Sequence, residues 1–305
     1  MVLISSGAHE KKKSLYIKMI NKKSAFVKIL PTALIIVALA LWLLDIPRRP
    51  RATPATVNCV MVTLNDSFRR SYVEKSIDNF HAQTYPHKRL VILEQSPDGV
   101  LPGVGWKAPN VRVMRVPVPH SHTLGGLRNL VLDTLSTEEL WTTWDDDDWR
   151  DPTYIDVAVH ELHRKRSDFM MLTQRVDYNL PTQFAHGVTL KSGLYASTFA
   201  YVNKRIRYDD LDTMEDQCIK RLGFENAKNP TTMTNDPLLY MRLVHGNNTS
   251  RYVRSDKTRV LDTVHHKDFF EWDVTPNQLD RVREILSTYY NISCPTNPIS
   301  KRADE

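Results

Sequence analysis

The sequence predicts an α/β domain, and three observations lead to that class. Two near-continuous apolar runs, "VNCVMVTL" (Val57–Leu64) and "RLVILE" (89–94), have the composition of strands covered on both faces. Between them Tyr72, Val73, Ile77 and Phe80 recur at helical spacing within 67–83, which makes a strand–helix–strand unit. The alternation then continues, with no internal repeat, through a strand at 111–118, a helix at 124–135 and a fourth apolar run, "LWTTW".

Each element has a local reason. The first helix closes at Pro86, in the turn "QTYP". The second starts on Gly125 and Gly126, and "TYIDVAVHELHRKRSD" (153–168) makes a third, with Pro152 suited to an early helical position. Near the C-terminus Thr275 is an N-cap and Pro276 the first helical residue, with Leu279, Val282, Ile285 and Leu286 on one face. The last residues, "NPISKRADE", read as a frayed end.

The chain has 305 residues, 41% apolar and 25% charged, which is ample for a folded core. Its net charge of +6 is unevenly spread. Ten Lys and Arg stand in residues 1–55 against Glu10 and Asp45, leaving 31 basic and 33 acidic side chains in 56–305. A nucleic-acid protein carries its basic excess on the folded domain, so nucleic acid is excluded as a partner. Here the excess flanks "ILPTALIIVALALWLL" (29–44), which has no charge. Extended to Ile46, it reaches the lower end of a bilayer span, about 17 residues, with Trp42 suited to the interface.

Seven lysines precede that segment and three arginines follow it, so the positive-inside rule expects a single-pass type II membrane protein. The catalytic part would then be luminal, in the Golgi or endoplasmic reticulum of a eukaryote, where a short span suits a thinner membrane. A cleaved signal peptide fits less well, because the preceding region is long and no small-x-small site follows. The expected division is a basic tail (1–28), a transmembrane anchor (29–46), a Pro/Arg-rich stem (47–56), the α/β domain (57–272), and a C-terminal helix and tail (273–305). Sequons at Asn65, Asn247, Asn248 and Asn291 agree with a lumen. Three cysteines make no disulfide framework, and Cys59 reads as a buried small hydrophobe.

The fourth strand opens on "WDDDDW", Asp145 to Asp148 between Trp144 and Trp149. At an effective dielectric of about 20, carboxylates roughly 5 Å apart repel by about 3 kcal/mol per pair. Indoles on both sides leave little water to screen that, so something cationic should sit there. In an extended segment alternate residues share a face, so Asp145 and Asp147 can look into one site while Asp146 and Asp148 look elsewhere. One carboxylate would bind a divalent ion and the other a metal-bound water or a sugar hydroxyl. Mg²⁺ favours this arrangement, with one or two carboxylates beside phosphate oxygens. The spacing of an EF-hand calcium loop is lacking.

Four motifs, in order, resemble the inverting family 2 glycosyltransferases of the GT-A fold. They are the opening strand–helix–strand with its Gln-Thr-Tyr-Pro turn (83–86), "GGLRN" (125–129), "WDDDDWRDP", and "LDTMEDQCIKRLG" (211–223). The resemblance covers roughly 57–223. It implies a metal-dependent hexosyl transfer from a nucleotide-diphosphate sugar, a UDP-sugar first, to a hydroxyl of a glycan or other acceptor.

The resemblance also implies roles. Thr63, Asn65 and Asp66 would lie near the nucleotide, and Glu94 would stand where the family usually has an Asp reading base and ribose. Arg128 would approach the diphosphate. Asp145 would hold ribose or metal water, with Asp146 beside the donor, and Asp147 would hold Mn²⁺ or Mg²⁺. Asp148 and Trp149 would flank the donor sugar or the acceptor. Asp216 is the implied base, with Glu215 its rival. Its place at a helix start favours the anion. A late contact would come from His265 or His266, since imidazole binds Mn²⁺-class metals, and Lys267 could neutralise the leaving diphosphate.

Two rivals share these features. A sugar-nucleotide pyrophosphorylase needs a Gly-rich loop after the first strand, and "TLNDSFRR" has no glycine. A non-catalytic carbohydrate- or sugar-nucleotide-binding protein on the same fold would show a damaged metal motif or base, and both motifs are intact.

Overall fold

The apolar run Val57–Leu64 forms β1, near the middle of a seven-stranded sheet in the computed structural model, which describes residues 55–64, 69–96, 108–117, 122–212, 215–245 and 268–292. After β1 come α1 (Arg70–Ala82), β2 (Lys88–Ser96), β3 (Val111–Pro117), α2 (Leu124–Leu132), β4 (Leu140–Thr143), β5 (Trp149–Arg150), α3 (Tyr154–Arg164) and β6 (Phe169–Leu172). There follow β7 (Gln174–Asn179), β8 (Phe184–Leu190), β9 (Thr198–Tyr201), α4 (Gln217–Asn226), β10 (Pro230–Met233), β11 (Tyr240–Val244), β12 (Phe269–Asp273) and α5 (Pro276–Tyr290). All described residues belong to one compact unit.

The large sheet runs β10-β6-β9-β4-β1-β2-β3. Its pairs are parallel except where β9 meets β4 and β6. The fold is therefore mixed α/β with a parallel-rich sheet. Helices cover both faces, which is why the strands read as unbroken apolar runs. Cys59 and Met61 join Val73, Ile77 and Phe80 of α1 in one core, while Val60, Val91 and Leu93 join Leu127 and Val131 of α2 in another.

Strand order reverses between β1 and β4. The chain moves outward through β2 and β3, then returns to pair β4 against β1 on its other side. Ligands of open α/β sheets bind beyond the strand C-termini at such a reversal. The acidic turn follows β4 directly at that place.

A second sheet, β12-β8-β7-β11-β5, was not legible from periodicity. Its apolar face carries Val176, Tyr178, Met241 and Leu243, covered by Val282, Ile285 and Leu286 of α5. The predicted cap of α5 is present: Gln278 N–H donates to Thr275 Oγ1 at 3.3 Å, and Thr275 N–H donates to Gln278 Oε1 at 2.9 Å. The third helix stops at Arg164, short of the expected 168, because Arg166 turns left-handed at φ 54°.

Among the described residues no helix is long and apolar enough to cross a membrane. The expected tail (1–28), anchor (29–46) and the stem as far as residue 54, with Asn65, Asp66, Asn247, Asn248, His265, His266, Lys267 and the final residues, lie outside the described residues.

Candidate active site

The segment after β4 is held by a polar stripe along α1. Ser76, Asn79 and Gln83 are all buried, at spacings that keep them on one helical face. Ser76 Oγ donates to the Asp145 carbonyl at 3.2 Å and accepts from Trp144 Nε1 at 2.9 Å. Asn79 clamps Arg150 by its backbone: Nδ2 donates to the carbonyl at 2.7 Å, and Oδ1 accepts the amide at 3.0 Å. Gln83 donates to the Asp151 carbonyl at 2.8 Å and accepts the Ile155 amide at 3.2 Å. The Gln of the "QTYP" turn is therefore a clamp on the acidic segment.

Each aspartate then finds its own partner. Asp145 accepts from Arg128 Nη2 at 2.9 Å. Asp146 accepts from Thr63 Oγ1 at 2.6 Å and Arg69 Nη1 at 2.7 Å. Asp147 shares a hydrogen bond with His245 Nε2 at 3.1 Å. Asp148 accepts from Tyr240 OH at 2.5 Å and the Leu243 amide at 3.3 Å.

Exposure alternates along the turn. Asp146 and Asp148 are 3% exposed, whereas the side chains of Asp145 and Asp147 keep 28% and 13%. Burial and the Asp147 charge push the Asp146 and Asp148 carboxyls up to about 7, against Arg69 on the first and Arg150 on the second. Burial also opposes ionisation of Asp147, but the His245 hydrogen bond with the charges of Arg69 and Arg242 holds it below the usual carboxylate range.

Part of the missing positive charge lies underneath. Arg150 is fully buried, its guanidinium 4.5 Å from the Trp144 ring, 5.0 Å from Tyr240 and 5.6 Å from Tyr154. Its Nη2 donates to the Thr143 carbonyl at 3.2 Å. The tryptophan before the acidic turn thus helps house a cation, through the attraction between a charge and a ring face.

The "GGLRN" element opens α2 and docks onto the segment that leads to Glu215. The Gly125 amide donates to the Leu211 carbonyl at 3.0 Å, and a Cβ there would fall 1.8 Å from the Asp209 carbonyl oxygen. Asn129 binds the Tyr208 backbone twice, at 2.9 and 3.0 Å. Arg128 lies 5.1 Å from the Tyr208 ring and ion-pairs with Glu215 as well as Asp145. The resemblance put Arg128 at a diphosphate, and the structure places its guanidinium between two carboxylates.

Burial raises the Glu215 carboxyl to about 7 despite Arg128, and Asp216 beside it adds to the rise. Asp216 stands at the N-cap of α4, where the sequence alone expects a low pKa. Its pKa is instead raised, because burial and the Asp145 charge outweigh Arg128 and the helix start. Glu94 is fully buried beside Thr63 in the β1–β2 register, with Arg115 Nε 3.4 Å from its Oε2.

Sequence reasoning missed Arg69, Tyr240, Arg242 and His245. Three of them lie on or beside β11, which borders the acidic turn. Arg242 pairs in register with Asp177, and its charge bears on Asp147, Asp148 and Asp216. The one available signal was a His and an Arg in the otherwise apolar run "LLYMRLVH". Among the described residues no group of three or more His, Cys, Asp or Glu side chains is placed to hold a metal ion.

No family model and no curated protein matches the chain. Solved structures of TarS from S. aureus are similar to it at low identity. Residues 1–349 of TarS with UDP-GlcNAc superpose with a TM-score of 0.49 at 14% identity, over 78% of this chain and 73% of that one. The same fragment with UDP gives 0.48 at 15% identity, over 62% and 60%. A further TarS structure gives 0.47 at 14% identity, and the match spans only 37% of its length. What the site of this chain can do follows from its own residues.

Proposed function

We propose that this chain is a metal-dependent glycosyltransferase that moves a sugar from a nucleotide-diphosphate sugar, a UDP-sugar first, to an acceptor hydroxyl with inversion. One observation carries the reading: Arg128 is shared by Asp145 and Glu215. Through it the acidic turn at the end of β4 is joined to the carboxylate pair at the start of α4. That junction lies where the strand order reverses, the position at which such sheets bind nucleotides.

A divalent ion would be met by Asp145 and Asp147, the two aspartates of the turn whose side chains keep exposure, Asp145 being shared with Arg128 and Asp147 with His245. One or two carboxylates beside phosphate oxygens suit Mg²⁺ or Mn²⁺, so most of the ligands would come from the donor diphosphate and water. When bound, the ion would offset the charge growing on the departing diphosphate. His265 and His266 remain candidates for the same ion.

Asp216 then acts on the acceptor. Its carboxylate takes the proton of the incoming hydroxyl as that oxygen attacks the sugar C1. The bond from C1 to the diphosphate breaks on the opposite face, so the anomeric carbon inverts. Glu215 holds Arg128, Arg128 holds Asp145, and the base is thereby kept in register with the donor. Thr63 and Glu94, with Asn65 and Asp66, would line the nucleotide.

A panel of sugar nucleotides with Mn²⁺ or Mg²⁺, read by release of nucleotide diphosphate, tests the function. No release from any donor, together with no nucleotide binding, would reject it. The type II topology with a luminal domain is part of the same proposal. Protease treatment of sealed microsomes should spare residues 57–272, and their digestion would reverse the orientation.

A further inference from the structure

We propose that Tyr195, Ser192 and Lys220 form an acceptor subsite beside Asp216, built for an acceptor that carries an anionic group near the reacting hydroxyl. The anion would be a phosphate, sulfate or carboxylate on a sugar or polyol. This inference rests on the transferase reading of Asp216 and names the substrate class of that same site.

Lys220 falls one helical turn beyond Asp216 on α4, so the two side chains leave the helix on one face. The short turn Tyr195–Ser197 packs against α4, and the Asp216 charge bears on the Tyr195 phenol. The Lys220 ammonium lies 5.8 Å from the centre of the Tyr195 ring and donates to Ser192 Oγ. Tyr195 therefore links the other two groups to the base: it lies within electrostatic reach of Asp216 and against the Lys220 ammonium.

The loop that presents Ser192 and Tyr195 is tied down. Gly193 is left-handed at φ 100°, and a Cβ there would fall 2.7 Å from Met171 Cβ, so the turn needs glycine. Its amide donates to the Leu190 carbonyl at 2.8 Å, and the Leu194 amide to the Leu172 carbonyl at 2.7 Å. Such a subsite exists before any ligand arrives, which lowers the ordering cost of binding.

Charge decides the ligand class. Among the described residues no carboxylate forms an ion pair with Lys220, and the acidic charge that bears on it is that of the exposed Asp268. Burial lowers the pKa of the ammonium below its ordinary value, as for a cation that has lost water without gaining a counter-ion. A neutral sugar would supply only hydroxyls, whereas an anion supplies a charge-assisted hydrogen bond. The Tyr195 ring offers the adjoining sugar or polyol an apolar face.

The test uses the full chain with UDP present. Methyl glucoside, methyl glucoside 6-phosphate, methyl glucuronide and inorganic phosphate are titrated by saturation-transfer NMR, after UDP binding has been measured alone. The two anionic sugars should bind about tenfold or more tighter than the neutral glucoside, a ratio set by one charge-assisted contact. Lys220→Met should erase that preference while melting temperature and UDP affinity stay put. Equal or absent binding of the three sugars would overturn the inference, as would a preference that survives Lys220→Met. Inorganic phosphate binding as tightly as the sugar phosphate would reduce the subsite to a general anion site and overturn its acceptor role. A chain that binds the anionic sugars but not UDP would overturn the transferase reading, whereas UDP binding without the preference overturns this inference alone.

Discussion

His245 Nε2 lies 3.1 Å from Asp147 Oδ2, although 98 positions separate the two residues. Tyr72 of α1 stacks on the imidazole at 5.1 Å and 21°, which fixes the plane of the ring. One helix and the end of one strand thus hold a ring nitrogen against the partly buried Asp147 carboxylate. His245→Ala should raise the Mn²⁺ concentration needed for half-maximal nucleotide release by about 10–100-fold, the usual loss when a metal site loses such support. Asp147→Ala should abolish release. A metal titration identical to wild type in both variants would remove the ion from this site.

Asp146 is expected to act on stability before activity. Both its oxygens are taken, by Thr63 and by Arg69, so Asp146→Ala leaves a largely buried Arg69 without this partner. Breaking a buried pair from one side costs about 3–5 kcal/mol. Urea unfolding should show a loss of that size, and an unchanged midpoint would mean that the pair carries no weight.

The base is separable from its neighbour. Asp216→Asn keeps size and hydrogen bonding but removes the proton acceptor, so kcat should fall about 10²–10⁴-fold with little change in donor affinity. Glu215→Gln should disturb the position of Arg128 and lower kcat less. If Asp216→Asn turns over normally while Glu215→Gln is dead, the base is Glu215.

Glu215 also predicts a pH dependence of stability. Its carboxyl is raised by burial from 4.5 to about 7 on folding, so the folded chain holds that proton more tightly than the unfolded chain. The associated stability is complete below 4.5 and is lost as pH rises through about 7. Glu215→Gln removes this titration. Relative to wild type, the variant should gain stability in metal-free thermal melts as pH goes from about 5 to about 8. A difference that does not change with pH would contradict the buried, proton-holding state.

The clamp along α1 can be tested without touching the acidic turn. Asn79→Ala strands the Arg150 amide and carbonyl, each buried group costing about 1–3 kcal/mol when unsatisfied. Melting temperature and metal-supported nucleotide release should fall together, because the turn loses its support. Loss of stability with full activity would show that the turn holds its shape without the clamp.

Local pattern was enough for the order of strands and helices from Val57 to Arg164 apart from the short β5, for the Thr275 cap, and for the acidic turn at a strand's end. Those features follow from period, burial on both faces and capping chemistry, all of which act within a few residues. It was not enough for β7, β8, β11 and β12, whose short runs mix polar with apolar residues and whose sheet brings β11 and β12 onto β7 and β8 from far along the chain. The partners of the four aspartates belong to the same class: Arg128, Thr63 with Arg69, His245, and Tyr240 come from four separate elements or their edges. Sequence alone determined that a crowd of carboxylates needs cations, because Coulomb repulsion is a local property of adjacent residues. Only the tertiary structure decided which cations answer it, since sheet pairing and helix docking bring them from up to 98 positions away.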